Sequence, residues 1–264
     1  MLVATWNING VKARIDNLLH WLKEAGPDIV CLQEIKSVDE GFPRLEIEAL
    51  GYHVETHGQK GFNGVAILSK LPFDEVSRGL PGDDEDVQAR FIEGVFSTPR
   101  GAVRVVSLYL PNGNPVDDPV KFPYKLRWMA RLERWAAGRL ALEEPLVLAG
   151  DYNVIPEPKD ARFPQAWVND ALFQPETRQA FRRLAGLGLE DAVRSVTEDG
   201  DVYTFWDYQA GAWQKNNGIR IDHLMLSPEA MDRFRSARID RHVRAWEKPS
   251  DHVPVLAELD FAAA

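Results

Sequence analysis

Five times along this chain a short apolar run closes on a carboxylate or a side-chain amide, and this recurrence restricts the possible folds more than any other feature. Residues 2–6 lead to Asn7 and Asn9, residues 29–33 to Glu34, residues 146–150 to Asp151 and Asn153, and residues 219–221 to Asp222; Asp251 and His252 stand just before the apolar run 253–259. Runs this short and this apolar describe strands buried on both faces. If such strands lie side by side, their polar ends collect along one rim of the sheets. The central case is Pro145-Leu-Val-Leu-Ala-Gly-Asp-Tyr-Asn153. Side chains alternate along an extended chain, so Asp151 and Asn153 share a face while Tyr152 turns to the other, and Gly150 reads as the residue that lets the backbone turn. Taken alone, Asp-Tyr-Asn equally describes a polar loop of turn formers; the recurrence is what points to a site. An oxygen-rich cluster at strand ends suits a hard cation such as Mg2+, which binds through one or two carboxylates and keeps water in its other positions.

With 264 residues, 45% of them hydrophobic, the chain can bury a sizeable core as one large domain. The single cysteine, Cys31, lies inside an apolar run, which excludes an internal disulfide and favours a core position. No run is long enough to span a membrane, and the first apolar segment starts at Leu2 without a basic leader, so a cytoplasmic location is expected. A net charge of −9 argues against holding nucleic acid by bulk electrostatics, but it leaves room for a local basic face. Lys36, Lys60, Arg90, Lys121, Lys125, Lys215, Arg220 and Lys248 fall in or near the loops that would ring the rim.

Periodicity predicts a strand over 2–6, a helix over 11–24, a strand over 28–33 and a short helix over 45–50. Strands at hairpin spacing follow over 52–56, 64–69, 91–97 and 103–110. The segment 71–88, with the acidic run Asp83-Asp84-Glu85-Asp86, reads as a solvated loop. A long helix over 124–142 precedes the strand at 146–149, and a further helix over 175–185 precedes strands at 203–206, 219–226, 239–243 and 253–259. Mixed strands with helices at the ends of the hairpin sections suggest α/β sheets packed face to face with helices outside.

The motifs resemble, in order, the signatures of the exonuclease III family of abasic-site endonucleases, within the endonuclease/exonuclease/phosphatase superfamily. They are Thr5-Trp-Asn-Ile-Asn-Gly10, Leu32-Gln-Glu34, Asn63-Gly-Val-Ala66, Tyr109-Leu-Pro-Asn112, Lys121-Phe-Pro123, Gly150-Asp-Tyr-Asn153, Tyr203-Thr-Phe-Trp-Asp-Tyr208, Ile221-Asp-His223 and Pro249-Ser-Asp-His252. The resemblance implies a four-layer DNase I-like sandwich of two mixed sheets flanked by helices, a requirement for Mg2+ or Mn2+, and phosphodiester hydrolysis on double-stranded DNA by a monomer. Activities implied are cleavage 5′ to abasic sites, removal of nucleotides from 3′ ends and removal of 3′ phosphates. By the same resemblance Glu34 is the main metal carboxylate, with Asn7, Asp151, Asn153, Asp251 and His252 as further candidates. Asp151 is the implied general base, Asn153 orients the attacking water or the phosphate, and His252 donates to the phosphate with Asp222 behind it. Tyr109, Asn112 and Lys121 resemble phosphate-side contacts. Phe205, Trp206, Ile219 and Ile221 resemble the lining of a pocket for the extruded, baseless sugar. His223 matches no such role and reads as structural.

The chemistry asked of these residue types stands on its own grounds. Hydrolysing a phosphodiester needs an in-line nucleophile, neutralisation of charge on the phosphoryl oxygens and help for the leaving oxygen. The same set would serve a small-molecule or lipid phosphodiester; the aromatics at 203–208 and the basic residues near the rim favour DNA. A non-enzymatic binding module on this fold is the third reading, against which stands a suitable residue at every position that catalysis needs.

Overall fold

In the computed structural model, which describes residues 1–262, the chain starts with β1 (Leu2–Asn7), passes a 3-10 turn into α1 (Ile15–Ala25) and returns parallel to β1 as β2 (Ile29–Gln33). α1 ends where Gly26, at φ 59°, donates its N–H back to the Leu22 carbonyl, a left-handed cap that a side chain would strain. After α2 (Arg44–Glu48), β3 (His53–His57) and β4 (Val65–Ser69) form a hairpin, and β5 (Glu75–Arg78), β6 (Phe91–Thr98) and β7 (Gly101–Tyr109) form a meander. α3 (Lys121–Leu140) carries the chain to β8 (Leu146–Asp151), parallel to β7. Then come α4 (Pro175–Gly186), β9 (Glu190–Asp191), β10 (Asp222–Leu226), α5 (Pro228–Met231), β11 (Phe234–Ile239) and β12 (Val255–Leu259).

The strands make two six-stranded sheets, ordered β11-β12-β1-β2-β4-β3 and β5-β6-β7-β8-β10-β9. Each has one parallel pair at its centre, β1 with β2 and β7 with β8, flanked by antiparallel neighbours. This topology makes the rim. Parallel strands end on the same side, and strands antiparallel to them begin there, so Asn7, Glu34, Tyr109 and Asp151 leave central strands beside the starts of β10 and β12. The pairing is direct within the second sheet, where Asp151 is opposite both Tyr109 and Asp222.

Alternation along the strands builds the layers. Val3, Ile29, Cys31, Val65 and Ile67 of the first sheet pack against Ile92, Phe96, Val103, Val105, Val147 and Leu224 of the second. The intervening residues Ala4, Trp6, Val30, Leu32 and Leu68 face outward under Leu18, Trp21 and Leu22 of α1. On the opposite side Val106, Leu108, Leu146 and Leu148 meet Trp128, Met129 and Leu132 of α3 and Phe181 and Leu184 of α4. The result is the expected α/β sandwich of four layers, with Cys31 buried between the sheets.

Several local expectations are corrected. Gly150 is not a turn: it lies inside β8, and a Cβ there would sit 2.1 Å from the Leu108 carbonyl oxygen, so the glycine permits close approach of two parallel strands. Residues 203–206 form only isolated bridges, Phe205 with Ile219 and with His252. The strand expected over 239–243 lies earlier, as β11, because Arg241–Ala245 turns into a 3-10 helix. The supposed loop 71–88 contains β5, and its Asp86 is not solvated: the Asp86 carboxylate accepts from the Tyr124 hydroxyl and from Arg131 at 2.7 Å. Asp83, Asp84 and Glu85 are exposed as expected. α3 begins at Lys121, before Pro123, since proline fits the first turn of a helix, where its missing N–H costs nothing.

Candidate active site

The site is built where the two sheets meet at the rim. Asn7, the last residue of β1, donates through Nδ2 to Oε1 of Glu34 and to Oδ2 of Asp151, both at 2.9 Å, and its Oδ1 accepts the Asn9 N–H at 3.0 Å. One amide therefore holds together a carboxylate from each sheet. Beneath it, Gln33 donates to Thr5 in its own sheet and to Ser107 in the other, each at 3.0 Å, so the base of the site is a satisfied polar link between sheets. Glu34 sits at φ 49° and Asn153 at φ 47°, in the left-handed region that asparagine visits readily but glutamate seldom does.

Asp151 is almost fully buried. Its Oδ1 accepts the backbone N–H of Asn153 at 2.9 Å, and its Oδ2 lies 3.7 Å from His252 Nε2. The other nitrogen of that ring, Nδ1, meets Asp222 Oδ2 at 2.8 Å. Thr204 Oγ1 accepts the backbone N–H groups of Ile221 and Asp222, and Ser250 Oγ donates to the Asn7 carbonyl while accepting from the His252 N–H. Phe205 lays its ring edge-on to the His252 imidazole at 5.0 Å.

These contacts set the protonation states. Burial alone would push the His252 imidazolium down, but the Asp222 and Asp151 carboxylates outweigh it and raise its pKa to about 10. Burial pushes the Asp151 carboxyl up, to about 7, with Asp222 and Glu34 adding repulsion while His252 and the Asn7 amide oppose the rise. Burial also acts upward on Glu34, yet the Asn7 hydrogen bond, Lys36 at 3.1 Å and His252 hold it below the ordinary carboxylate range. The Tyr109 hydroxyl is pushed well up by burial and by the Glu34 and Asp151 carboxylates that it faces, and so stays a neutral donor.

One ligand atom each from Glu34, Asp151 and His252 lies within 4.8 Å of the others. Two carboxylates, Glu34 and Asp151, converge here with Asp222 behind the histidine, and burial raises Asp151 to about 7; together they form a negative focus that a divalent cation fits, with Glu34 and Asp151 supplying the oxygen atoms. His252 has committed Nδ1 to Asp222 and could offer only Nε2. Two other expected ligands are turned elsewhere. Asn153 donates through Nδ2 to the Leu110 carbonyl at 2.8 Å and has Oδ1 3.5 Å from Asn112 Nδ2. Asp251 accepts from Asn9 Nδ2 at 3.2 Å and lies outside the three-residue cluster.

The substrate-side expectations divide. Asn112 and Lys121 are exposed and Phe205 is half-buried, all open to a ligand. Trp206 is not: it is 0% exposed, packed edge-on to Tyr203 and Trp213, and its Nε1 donates to Asn216. It is a core residue, and the expectation that it lines a pocket is corrected. Ile219 and Ile221 are also covered, within an apolar cluster that Phe205 borders, so they back Phe205 instead of forming an open wall. Of the basic residues expected around the rim, Lys60, Lys121, Lys215 and Lys248 are exposed. Arg220 is instead buried against Asp160 and Asp191, each at 2.7 Å, and the buried Lys125 donates to the Asn112 and Asn153 carbonyls. His223 is structural as read: it stacks among Tyr152 and Phe181, donates from Nε2 to the Val154 carbonyl and accepts from Arg220 at Nδ1, with burial and Arg220 holding it neutral. Sequence reasoning missed Thr204, Ser250 and the pairing of Lys36 with Glu34. Thr204 and Ser250 stand inside quoted motifs, and their adjacency to Phe205 and Asp251 was the available signal.

Two surface grooves, of about 640 Å³ around Asn114, Asp117 and Asp170 and of about 620 Å³ around Arg44, Tyr52 and Phe73, include none of these residues.

Comparison with known proteins gives a consistent picture. The profile of the endonuclease/exonuclease/phosphatase family matches residues 4–252. Exodeoxyribonuclease III of Haemophilus influenzae is 37% identical over 98% of this chain and 99% of its own length. The 3′ phosphatase NExo from Neisseria, solved with a product DNA hairpin, superposes with a TM-score of 0.94 at 37% identity, covering 98% of this chain and 99% of that one. An AP endonuclease from Archaeoglobus fulgidus gives a TM-score of 0.93 at 35% identity, over 98% and 99% of the two chains.

Proposed function

The chain belongs to the endonuclease/exonuclease/phosphatase family, and from that premise we propose that its rim cluster hydrolyses phosphodiesters in duplex DNA as a metal-dependent repair nuclease. Its activities are incision 5′ to abasic sites, 3′-to-5′ exonuclease action and removal of 3′ phosphates. The observation that carries the reading is the convergence of Glu34, Asp151 and His252 within 4.8 Å, with Asp222 behind the histidine.

The residues divide the work. Glu34 and Asp151 would hold Mg2+, with Mn2+ as the substitute, and the ion supplies charge neutralisation at the phosphoryl oxygens when bound. Asp151 takes the proton of the attacking water. The Asn7 amide keeps Glu34 and Asp151 at fixed separation. His252, held cationic by Asp222, donates to a phosphoryl oxygen through Nε2, the nitrogen that Asp222 leaves free. Tyr109 adds a neutral hydroxyl donor, and Asn153 with Asn112 orients the water or the phosphate. Phe205, edge-on to His252 and backed by Ile219 and Ile221, meets the extruded sugar of an abasic site. Exposed Lys60, Lys121, Lys215 and Lys248 supply local positive charge on a chain whose total is negative.

Incubation with duplexes carrying an abasic analogue, a recessed 3′ end or a 3′ phosphate, with Mg2+ or with chelator, tests the proposal. Cleavage that requires the ion and favours the abasic duplex is expected. Turnover of a small phosphodiester alone, with all three duplexes intact, would overturn it.

A further inference from the structure

We propose that Lys125 is a positioning residue for phosphodiester cleavage, acting through the backbones of Asn112 and Asn153. The inference deepens the reading above, because it rests on Asn153 orienting the water or the phosphate.

Lys125 lies in the first turns of α3, the helix that joins β7 to β8, and the segments that follow those two strands close over its side chain. It is 0% exposed. A lysine that serves solubility or a surface ion pair keeps its ammonium in water; this one ends on two carbonyl oxygens, of Asn112 at 2.9 Å and of Asn153 at 2.6 Å. Those are the two residues whose side chains approach each other at 3.5 Å beside Asp151. One amino group thus ties together the ends of both central strands of the second sheet at the point where they present their amides.

Two further observations fix this arrangement. Asn153 is left-handed at φ 47°, and its N–H is bound to Asp151 Oδ1, its Nδ2 to Leu110 and its carbonyl to Lys125, so this conformation is held at three points. The lysine stem is confined as well: a Cβ at Gly113 would lie 2.7 Å from Lys125 Cδ and 3.2 Å from Ala171 Cβ. The amino group cannot swing aside without moving this loop. Removing it leaves two carbonyls short of a donor, and relief comes from a change in the backbone dihedral angles of Asn153, the residue that bears the side-chain amide and the N–H bound to Asp151.

A merely structural lysine would affect stability alone, so the test separates stability from geometry. The full chain carrying Lys125→Met is compared with Asn153→Ala and with the double variant for thermal unfolding and for kcat and KM on an abasic duplex with saturating Mg2+. Lys125→Met is expected to lower kcat by about ten- to a hundredfold, the scale of a misplaced group, with little change in KM. In the Asn153→Ala background the same replacement should change kcat far less, because its target is gone. If the methionine variant fails to fold, Lys125→Gln, whose amide nitrogen stops one bond short of the lysine nitrogen, replaces it in the same cycle. Undiminished kcat in a folded Lys125 variant, or losses that multiply fully in the double variant, would overturn the inference. An Asn153→Ala variant with parental kcat would instead remove the reading on which it rests.

Discussion

His252 Nδ1 and Asp222 Oδ2 meet at 2.8 Å, while Asp222 Oδ1 has no hydrogen-bonding partner among the described residues. The carboxylate is committed to the imidazole on one side only. Removing its charge therefore affects the ring more than the surrounding packing. In Asp222→Asn the His252 pKa should fall well below its present value of about 10, because burial then acts with less opposition. Ring-proton titration by NMR in the metal-free protein checks the shift. Turnover at pH 8 should drop on the order of a hundredfold or more. Since the folded pKa is raised, the stability that this pair contributes is present below about pH 6.5 and fades as pH rises through 10. An unchanged ring titration would show that Asp222 is not what holds the charge.

Asp151→Asn should reduce cleavage by about 10²- to 10⁴-fold or more, because an amide of the same shape cannot accept a proton from water. DNA binding should survive or tighten, since one negative charge leaves the rim. Filter binding or anisotropy on an abasic duplex, run beside single-turnover cleavage, separates the two effects. Near-parental cleavage would place the base at another residue.

The sequence and the structure agree most closely where chemistry and strand pattern coincide. Apolar runs ending in Asn7, Glu34 and Asp151 predicted a common rim, and two parallel central pairs with antiparallel neighbours produce it. Errors arose where one-dimensional pattern has no access to three-dimensional neighbours. Trp206 looked like a pocket aromatic because Phe205 beside it faces the site, but residue alternation sends it inward to Tyr203 and Trp213. Arg220 and Lys125 looked like rim charges because their loops lie near the site; Arg220 in fact pairs with Asp160, which is 60 residues away. Gly150 was read as a turn, and only the Leu108 carbonyl of the neighbouring strand shows why a side chain is excluded there.

Glu34→Ala should abolish metal dependence together with activity. A divalent ion that binds only the folded chain raises stability by about 2.7 kcal/mol at a hundredfold excess over Kd, or about 5–10 °C for a chain of this size. Thermal unfolding with and without Mg2+ should show such a rise in the parent and little of it in Glu34→Ala. An equal rise in both would put the ion elsewhere.

Asp160, Arg220 and Asp191 form a buried charge group beneath the site, with Arg194 completing it. Burial would raise both carboxyls, but Arg220 holds each below the ordinary range. Their folded pKa values are therefore depressed, so the stability they contribute is present above about pH 4 and is lost as pH falls further. Arg220→Met should cost about 3–5 kcal/mol and move the acid unfolding midpoint upward, since two buried carboxylates lose their partner. Denaturant unfolding at a series of pH values reads both. A parental acid midpoint in a destabilised variant would mean that Arg220 contributes packing rather than charge.

The last prediction concerns substrate choice. Phe205 is half-buried, edge-on to His252 at 5.0 Å, and borders the apolar cluster of Ile219 and Ile221, whereas the adjacent Trp206 is wholly in the core. A sugar without a base can enter against such a face, and extrusion costs least where pairing and stacking are already lost. Phe205→Ala should therefore reduce discrimination between abasic and intact duplex while keeping metal dependence. Trp206→Ala should cost about 3–5 kcal/mol of stability, as loss of a buried aromatic does, with discrimination retained in the fraction that folds. The two variants make opposite claims, so thermal unfolding is measured first and cleavage of both duplexes is compared at a temperature where each is folded. A Phe205→Ala variant that loses stability yet keeps full preference for abasic DNA would assign Phe205 to the core and leave selectivity to the loops that carry the exposed lysines.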